Sequence, residues 1–129
     1  FSCGVGVEVI SKILYDKKIY KNIYTGCNTF YLDGFQGVTT QKYSCYGCGE
    51  CYLNYTGGIC PFSSCSKGLL NGPCGGADKN GKCEVDKLLD CAWIKIYERL
   101  KNLKLENNIK ENKIFIKDYC KCSEKENKK

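Results

Sequence analysis

The sequence predicts a mostly irregular α+β fold: a cysteine-rich loop domain over residues 45–92, preceded by the end of an α/β unit (1–44) and followed by an amphipathic helix and polar tail (93–129). Three observations predict it. Eight of the twelve cysteines fall between positions 45 and 91, at Cys45, Cys48, Cys51, Cys60, Cys65, Cys74, Cys83 and Cys91. Turn formers punctuate the same stretch at Thr56-Gly57-Gly58, Gly68, Asn71-Gly72-Pro73 and Gly75-Gly76, so no long helix or strand fits before Cys91. Helical apolar spacing occurs on either side of it.

In chain order, Ser2-Cys3-Gly4-Val5-Gly6-Val7 reads as a Gly-rich turn leading into a helix marked by Val7, Ile10, Ile13 and Leu14. Such a turn can cradle an anion, but a lone Gly-x-Gly is weak ground and a plain turn into the helix is preferred. Ile19 to Tyr24 reads as a strand that ends in the turn Thr25-Gly26-Cys27-Asn28-Thr29. A helix followed by a strand suggests the last βαβ-like part of an α/β unit. Its earlier strands are expected upstream of Phe1, so the sequence is expected to be a fragment. Cys3 and Cys27 lie in these turns, each open to metal ligation or to packing as a free thiol. Residues 33–44 form a connector with a short strand near 36–40, and Ser66 to Leu70 is allowed one helical turn at most. Beyond the cysteines, Trp93, Ile96, Tyr97, Leu100 and Leu103 repeat as the apolar face of a helix, with Asp90 as its N-cap and Lys95, Glu98, Arg99, Lys101 and Lys104 on the wet side. That face is expected to pack into the core, with Trp93 shielding whatever Cys91 binds. Ile114-Phe115-Ile116 precedes a Lys/Glu-rich end expected to be disordered. Cys120-x-Cys122 lies in that end without other local ligands and is set aside.

A chain of 129 residues suffices for one domain, but short aliphatic runs and 14 glycines leave a thin conventional core. Crosslinks or metal are expected to replace part of the hydrophobic stabilisation. The net charge of +6 suggests nucleic acid only until it is divided. Residues 1–94 carry nine Lys against eight acidic residues, whereas residues 95–129 carry eleven basic against six acidic ones, so the excess belongs to the tail. Nucleic-acid binding is therefore not expected. No stretch is long or apolar enough to span a membrane, and a soluble, cytoplasmic protein is expected. No secretory leader is expected in this stretch, although one removed upstream stays open. The sequon Asn54-Tyr55-Thr56 sits inside the cysteine segment and is read as chance.

Twelve cysteines and no histidine leave three chemistries: disulfides, thiolate-only zinc, or iron–sulfur clusters. The run Cys45-x-x-Cys48-x-x-Cys51 suits a shared metal better than disulfide partners, because two successive two-residue gaps aim sulfurs inward at one group. With Cys60-Pro61 it resembles the run that holds cubane clusters in bacterial ferredoxins. The gap from Cys51 to Cys60 is eight residues where the ferredoxin pattern has three, so the chain is no ferredoxin copy. Two [4Fe-4S] clusters need eight ligands, and the central stretch offers eight. The ferredoxin resemblance implies that Cys45, Cys48 and Cys51 share one cluster while Cys60 starts a second with Cys65 and Cys74. Cys83 and Cys91 take the remaining places in an unassigned order. Zinc in one or both sites is the alternative. Backbone N–H groups of Gly57, Gly58, Gly75 and Gly76 are expected to donate to cluster sulfurs and raise the potential. Loaded clusters would make the front of the chain net negative. There is no Ser/His/Asp set and the acidic residues are scattered, so acid–base or nucleophilic catalysis is not expected. A cysteine activated near Lys67 is the weaker alternative.

The blocks Thr56 to Pro61, Cys65 to Gly76, Gly81 to Asp86 and Cys91-Ala92-Trp93 resemble the C-terminal cysteine domain associated with methylenetetrahydrofolate reductases. The likeness runs from about Phe1 to Leu103, including Cys3 to Val7 and Asn28-Thr29-Phe30, and leaves out Cys120 and Cys122. It is greatest to the small accessory subunit of the two-subunit enzyme of acetogenic anaerobes. The resemblance implies an electron-transfer or structural-zinc subunit whose partner is a flavin-containing catalytic subunit that reduces methylene- to methyltetrahydrofolate. Ferredoxin or another redox subunit is the implied electron source.

Overall fold

The structure, a computed structural model, describes residues 3–29, 45–110 and 114–117. Helices α1 (Gly4–Asp16) and α3 (Ala92–Asn102) flank the cysteine segment, which contains the single helical turn α2 (Pro61–Ser64); α4 (Asn107–Lys110) follows. Regular β-structure among the described residues is limited to one antiparallel bridge, Lys82 with Asp90. The mostly irregular character is as expected.

Helix α1 starts earlier than its spacing predicts. Cys3 has extended backbone and caps the helix, its sulfur accepting from Gly6 N–H at 3.5 Å. The Gly-x-Gly therefore forms the first turn of the helix and not a loop before it. Val5 and Val7 are buried. Gly4, Glu8 and Ser11 recur at i, i+4 and i+7, so they share one face. That face meets the cysteine segment. Gly4 N–H donates to Thr29 Oγ1 at 2.7 Å, and a Cβ at Gly58 would fall onto the Ser11 side chain.

Both long helices end the same way. Lys18 and Lys104 take positive φ (57° and 58°) one residue past the cap. Their N–H groups bond Tyr15 and Lys101 carbonyls, and Ile19 and Leu105 N–H groups reach back to Leu14 and Leu100. This double closure satisfies the last carbonyls and is usually made with glycine.

The expected strand at Ile19 to Tyr24 does not form: among the described residues the segment makes no β-bridge. Tyr20 and Tyr24 are about half exposed, so the alternation has no buried face to enforce it. The described part of residues 1–44 holds a helix without strands, and the end of an α/β unit is not seen there. The expected strand near 36–40 lies outside the described residues. Thr25 is tied instead to Asn54, whose Oδ1 accepts from Thr25 N–H at 2.8 Å while its Nδ2 donates to Thr25 O at 3.1 Å. The sequon asparagine is thus a structural clasp.

Pro61 opens α2 at the position where its missing N–H costs nothing. The helical turn expected at Ser66 to Leu70 is found a few residues earlier, in Pro61–Ser64. Helix α3 forms where the periodicity places it, burying Ala92, Trp93, Ile96 and Leu100. Trp93, Ile96 and Leu100 make the core, against which Ile59, Cys65, Cys91 and Leu105 pack. Tyr97 stays about half exposed, narrowing the predicted apolar face. Cys91, not Asp90, is the N-cap residue, and its side chain makes no cap bond. Asp90 is engaged by Lys82 at 2.6 Å and Lys95 at 2.7 Å. Arg99 joins three parts of the fold, lying 4.7 Å over the Tyr15 ring and donating to Gly57 O. Phe115 is held by Asn71 in both directions, at 2.7 and 2.9 Å, and its ring meets Tyr52 and Tyr55.

Candidate metal centre

The eight central thiols fall into two sets of four. Cys45, Cys48, Cys51 and Cys60 line one cavity together with Glu8 of α1. Cys65, Cys74, Cys83 and Cys91 line a second, with Lys67, Glu84 and Trp93 in its wall. The assignment of Cys60 to the second group is therefore revised. The turn from Leu53 to Gly58, closed by Gly58 N–H to Leu53 O at 3.0 Å, folds the long Cys51–Cys60 gap back, and Cys60 returns to the first three cysteines. Gly58 N–H is thereby committed to a carbonyl and does not donate to a sulfur.

Each set is positioned by local backbone. Gly47 N–H points at Cys45 Sγ at 3.5 Å and Gly76 N–H at Cys74 Sγ at 3.4 Å. Leu53 N–H does the same for Cys51, and Val85 and Asp86 N–H groups for Cys83. An N–H two or three residues after a cysteine, aimed at its sulfur, stabilises a thiolate and orients it. Gly47 makes this turn with φ of 61°, in the left-handed region. In the second set the Lys82–Asp90 bridge is extended by Cys83 N–H to Leu89 O and Cys91 N–H to Gly81 O. Helix α2 links the sets: Cys60 precedes it and Cys65 follows it. At helical rise this spans about 7.5 Å. A broader cleft of about 500 Å³ also touches both Cys60 and Ser64.

The two environments differ electrostatically. Burial pushes Cys45 up to about 11, helped by the negative charge of Glu8 and the neighbouring thiols and opposed by Gly47 N–H. Cys51 is raised for the same leading reason, burial. Cys83 is lowered, first by the Ser66 hydroxyl and then by its two backbone donors. Lys67 and Glu84 form an ion pair that raises the lysine and lowers the carboxylate, and Glu84 also meets Cys74 Sγ at 3.4 Å.

All ten described cysteines are free, so no disulfide joins them. Cys3 is occupied as a helix cap, and Cys27 is exposed in its turn; neither lines either four-thiol cavity. Cys120 and Cys122 lie outside the described residues. Among the described residues no three Cys, Asp or Glu side chains converge closely enough to hold one ion as they stand; the thiols surround two spaces. No described helix is long and apolar enough to cross a membrane. Glu8 was not singled out from the sequence, although its register with Gly4 and Ser11, on the small-residue face of α1, carried the signal.

Residues 24–120, about three quarters of the chain, match the family model described as methylene-tetrahydrofolate reductase C terminal. The chain belongs to that family. No curated protein and no solved structure matches it. The match includes all eight thiols of the two sets, together with α2 and α3, while α1 precedes it. In this methylene-tetrahydrofolate reductase C-terminal domain, the blocks that carry the resemblance supply Cys60 of the first cavity and all four thiols of the second, Cys65, Cys74, Cys83 and Cys91.

Proposed function

We propose that this chain is an iron–sulfur electron-transfer module that serves the flavin-bearing catalytic subunit of a methylenetetrahydrofolate reductase, and that it makes or breaks no bond in the folate itself. The observation that carries this reading is the division of eight thiols into two sets of four around adjacent cavities. The donor set fits the group: thiolates alone, four per site, as a cubane requires. When bound, such clusters supply reversible one-electron storage.

The protein's own residues do the rest. Cys45, Cys48, Cys51 and Cys60 would hold one cluster and Cys65, Cys74, Cys83 and Cys91 the other. The N–H groups of Gly47, Leu53, Gly76, Val85 and Asp86 orient the sulfurs. Trp93, 5% exposed with its Nε1 bonded to Leu69 O at 3.0 Å, keeps water from one wall of the second cavity. Free thiols throughout the described chain suit a reducing cytoplasm. Ferredoxin or another redox subunit is the expected donor. Val85, Leu88 and Leu89, all exposed beside Cys83 and Cys91, offer an apolar contact for the catalytic subunit.

Metal content tests this. Oxygen-protected protein should be brown and contain about eight iron and eight sulfide per chain, two cubanes' worth. About two zinc ions without sulfide would replace the electron-transfer reading with two structural four-thiolate sites. Failure of the loaded protein to associate with a flavin-bearing reductase subunit would remove the partner claim alone.

A further inference from the structure

Resting on the iron–sulfur reading, we propose that the side chains around the two thiol sets hold their centres at unequal reduction potentials: lower at Cys45/Cys48/Cys51/Cys60, where Glu8 stands, and higher at Cys65/Cys74/Cys83/Cys91, where Lys67 stands. An electron added to the pair rests on the second set.

Three independent features point the same way. The first is charge. The first cavity is lined by the carboxylates Glu8 and Glu50; among the described residues the cation near it is Lys117, whose Nζ lies 4.5 Å from the Phe62 ring centroid. The second cavity is lined by Lys67, Glu84 and Asp90, and Asp90 is itself paired with Lys82 and Lys95. Among the described residues, the two carboxylates of the second cavity are thus matched by three lysines, and the two of the first by Lys117. Adding an electron costs more beside net negative charge. The second feature is hydrogen bonding. Among the described residues the first set receives N–H groups from Gly47 and Leu53. The second receives Gly76, Val85 and Asp86 N–H groups together with the Ser66 hydroxyl. Donors to ligand sulfur favour the reduced state. The third is solvent. Cys74 of the second set is exposed, whereas all four cysteines of the first are only partly accessible, and Cys60 alone of these four meets the broad cleft. Water stabilises the added charge where it reaches.

Glu8 is a positioning residue here: it acts on the thiolates through its charge and is offered as no ligand. It is 8% exposed, on the α1 face that turns toward the cysteines.

The test is a mediated dithionite titration, one electron per centre, of the whole loaded chain, followed by electron paramagnetic resonance, with iron and sulfide assayed on every sample. Wild type should show two separate midpoints. Glu8→Gln, of equal shape, should raise the lower midpoint by at least a tenfold change in the one-electron equilibrium, about 59 mV, and leave the upper one in place. Lys67→Gln, at a side chain 40% exposed, should lower the upper midpoint only. Cys60→Ser identifies which signal belongs to the first set. With iron and sulfide at full content, coincident midpoints, a reversed order, or a lower midpoint unmoved by Glu8→Gln overturns this inference and leaves the function standing. Absence of iron and sulfide overturns both.

Discussion

Gly58 shows how closely a single residue can be specified in this fold. Its φ is +85°, and the place a Cβ would take is already filled by Ser11 of α1. Gly58→Ala is expected to destabilise the protein by about 1–3 kcal/mol, measurable by denaturant unfolding, and Ser11→Ala in the same chain should recover only part, since the backbone strain stays. The sequence marks Gly57-Gly58 as a turn, but the neighbour across the fold cannot be read from it. Asp90 was likewise visible and misassigned: a carboxylate before a helix suggests a cap, yet Lys82 and Lys95 lie nearer and hold it. These partners depress it to about 2, Lys82 first and then Lys95, from an ordinary value of 3.8. A folded value below the unfolded one gives stabilisation that is present above about pH 4 and lost as pH falls toward 2. The difference in stability between wild type and Asp90→Asn should therefore shrink over that window, and added salt should reduce it at neutral pH because the pairs are exposed.

Among the elements, α3 was legible almost to its ends because Trp93, Ile96 and Leu100 repeat at helical spacing and are all buried. The strand expected at Ile19 to Tyr24 was not, because strand formation needs a neighbour and β-branched alternation alone supplies none. Helix ends carry a further lesson. Lys18 and Lys104 occupy positive-φ positions where a side chain is penalised. Lys18→Gly and Lys104→Gly are each expected to stabilise the protein by up to about 1 kcal/mol, seen as a higher midpoint in thermal unfolding. A fall instead would mean that these lysines make contacts outweighing their strain.

For the whole molecule, the crowding of eight thiols into one stretch was readable from spacing, but their division between two cavities was not. The ferredoxin pattern ties the cysteine before proline to the second group; here the Leu53–Gly58 turn returns Cys60 to the first. Serine substitutions check the division. Cys45→Ser and Cys60→Ser should damage the same centre, each removing about half of the iron, and the double variant should lose little more. Cys60→Ser with Cys91→Ser should lose nearly all of it. If Cys60→Ser instead depletes the same signal as Cys74→Ser, the two fours are wrongly drawn. The link between them has one more consequence. Loop length elsewhere in the segment can drift at small cost, since closing a longer loop costs little. Between Cys60 and Cys65 it cannot: one inserted residue in Pro61–Ser64 would swing everything beyond by about 100° and push it about 1.5 Å along. Whatever variation sequences of this kind accumulate, the four-residue spacer between these two cysteines should be the ruler that stays unedited.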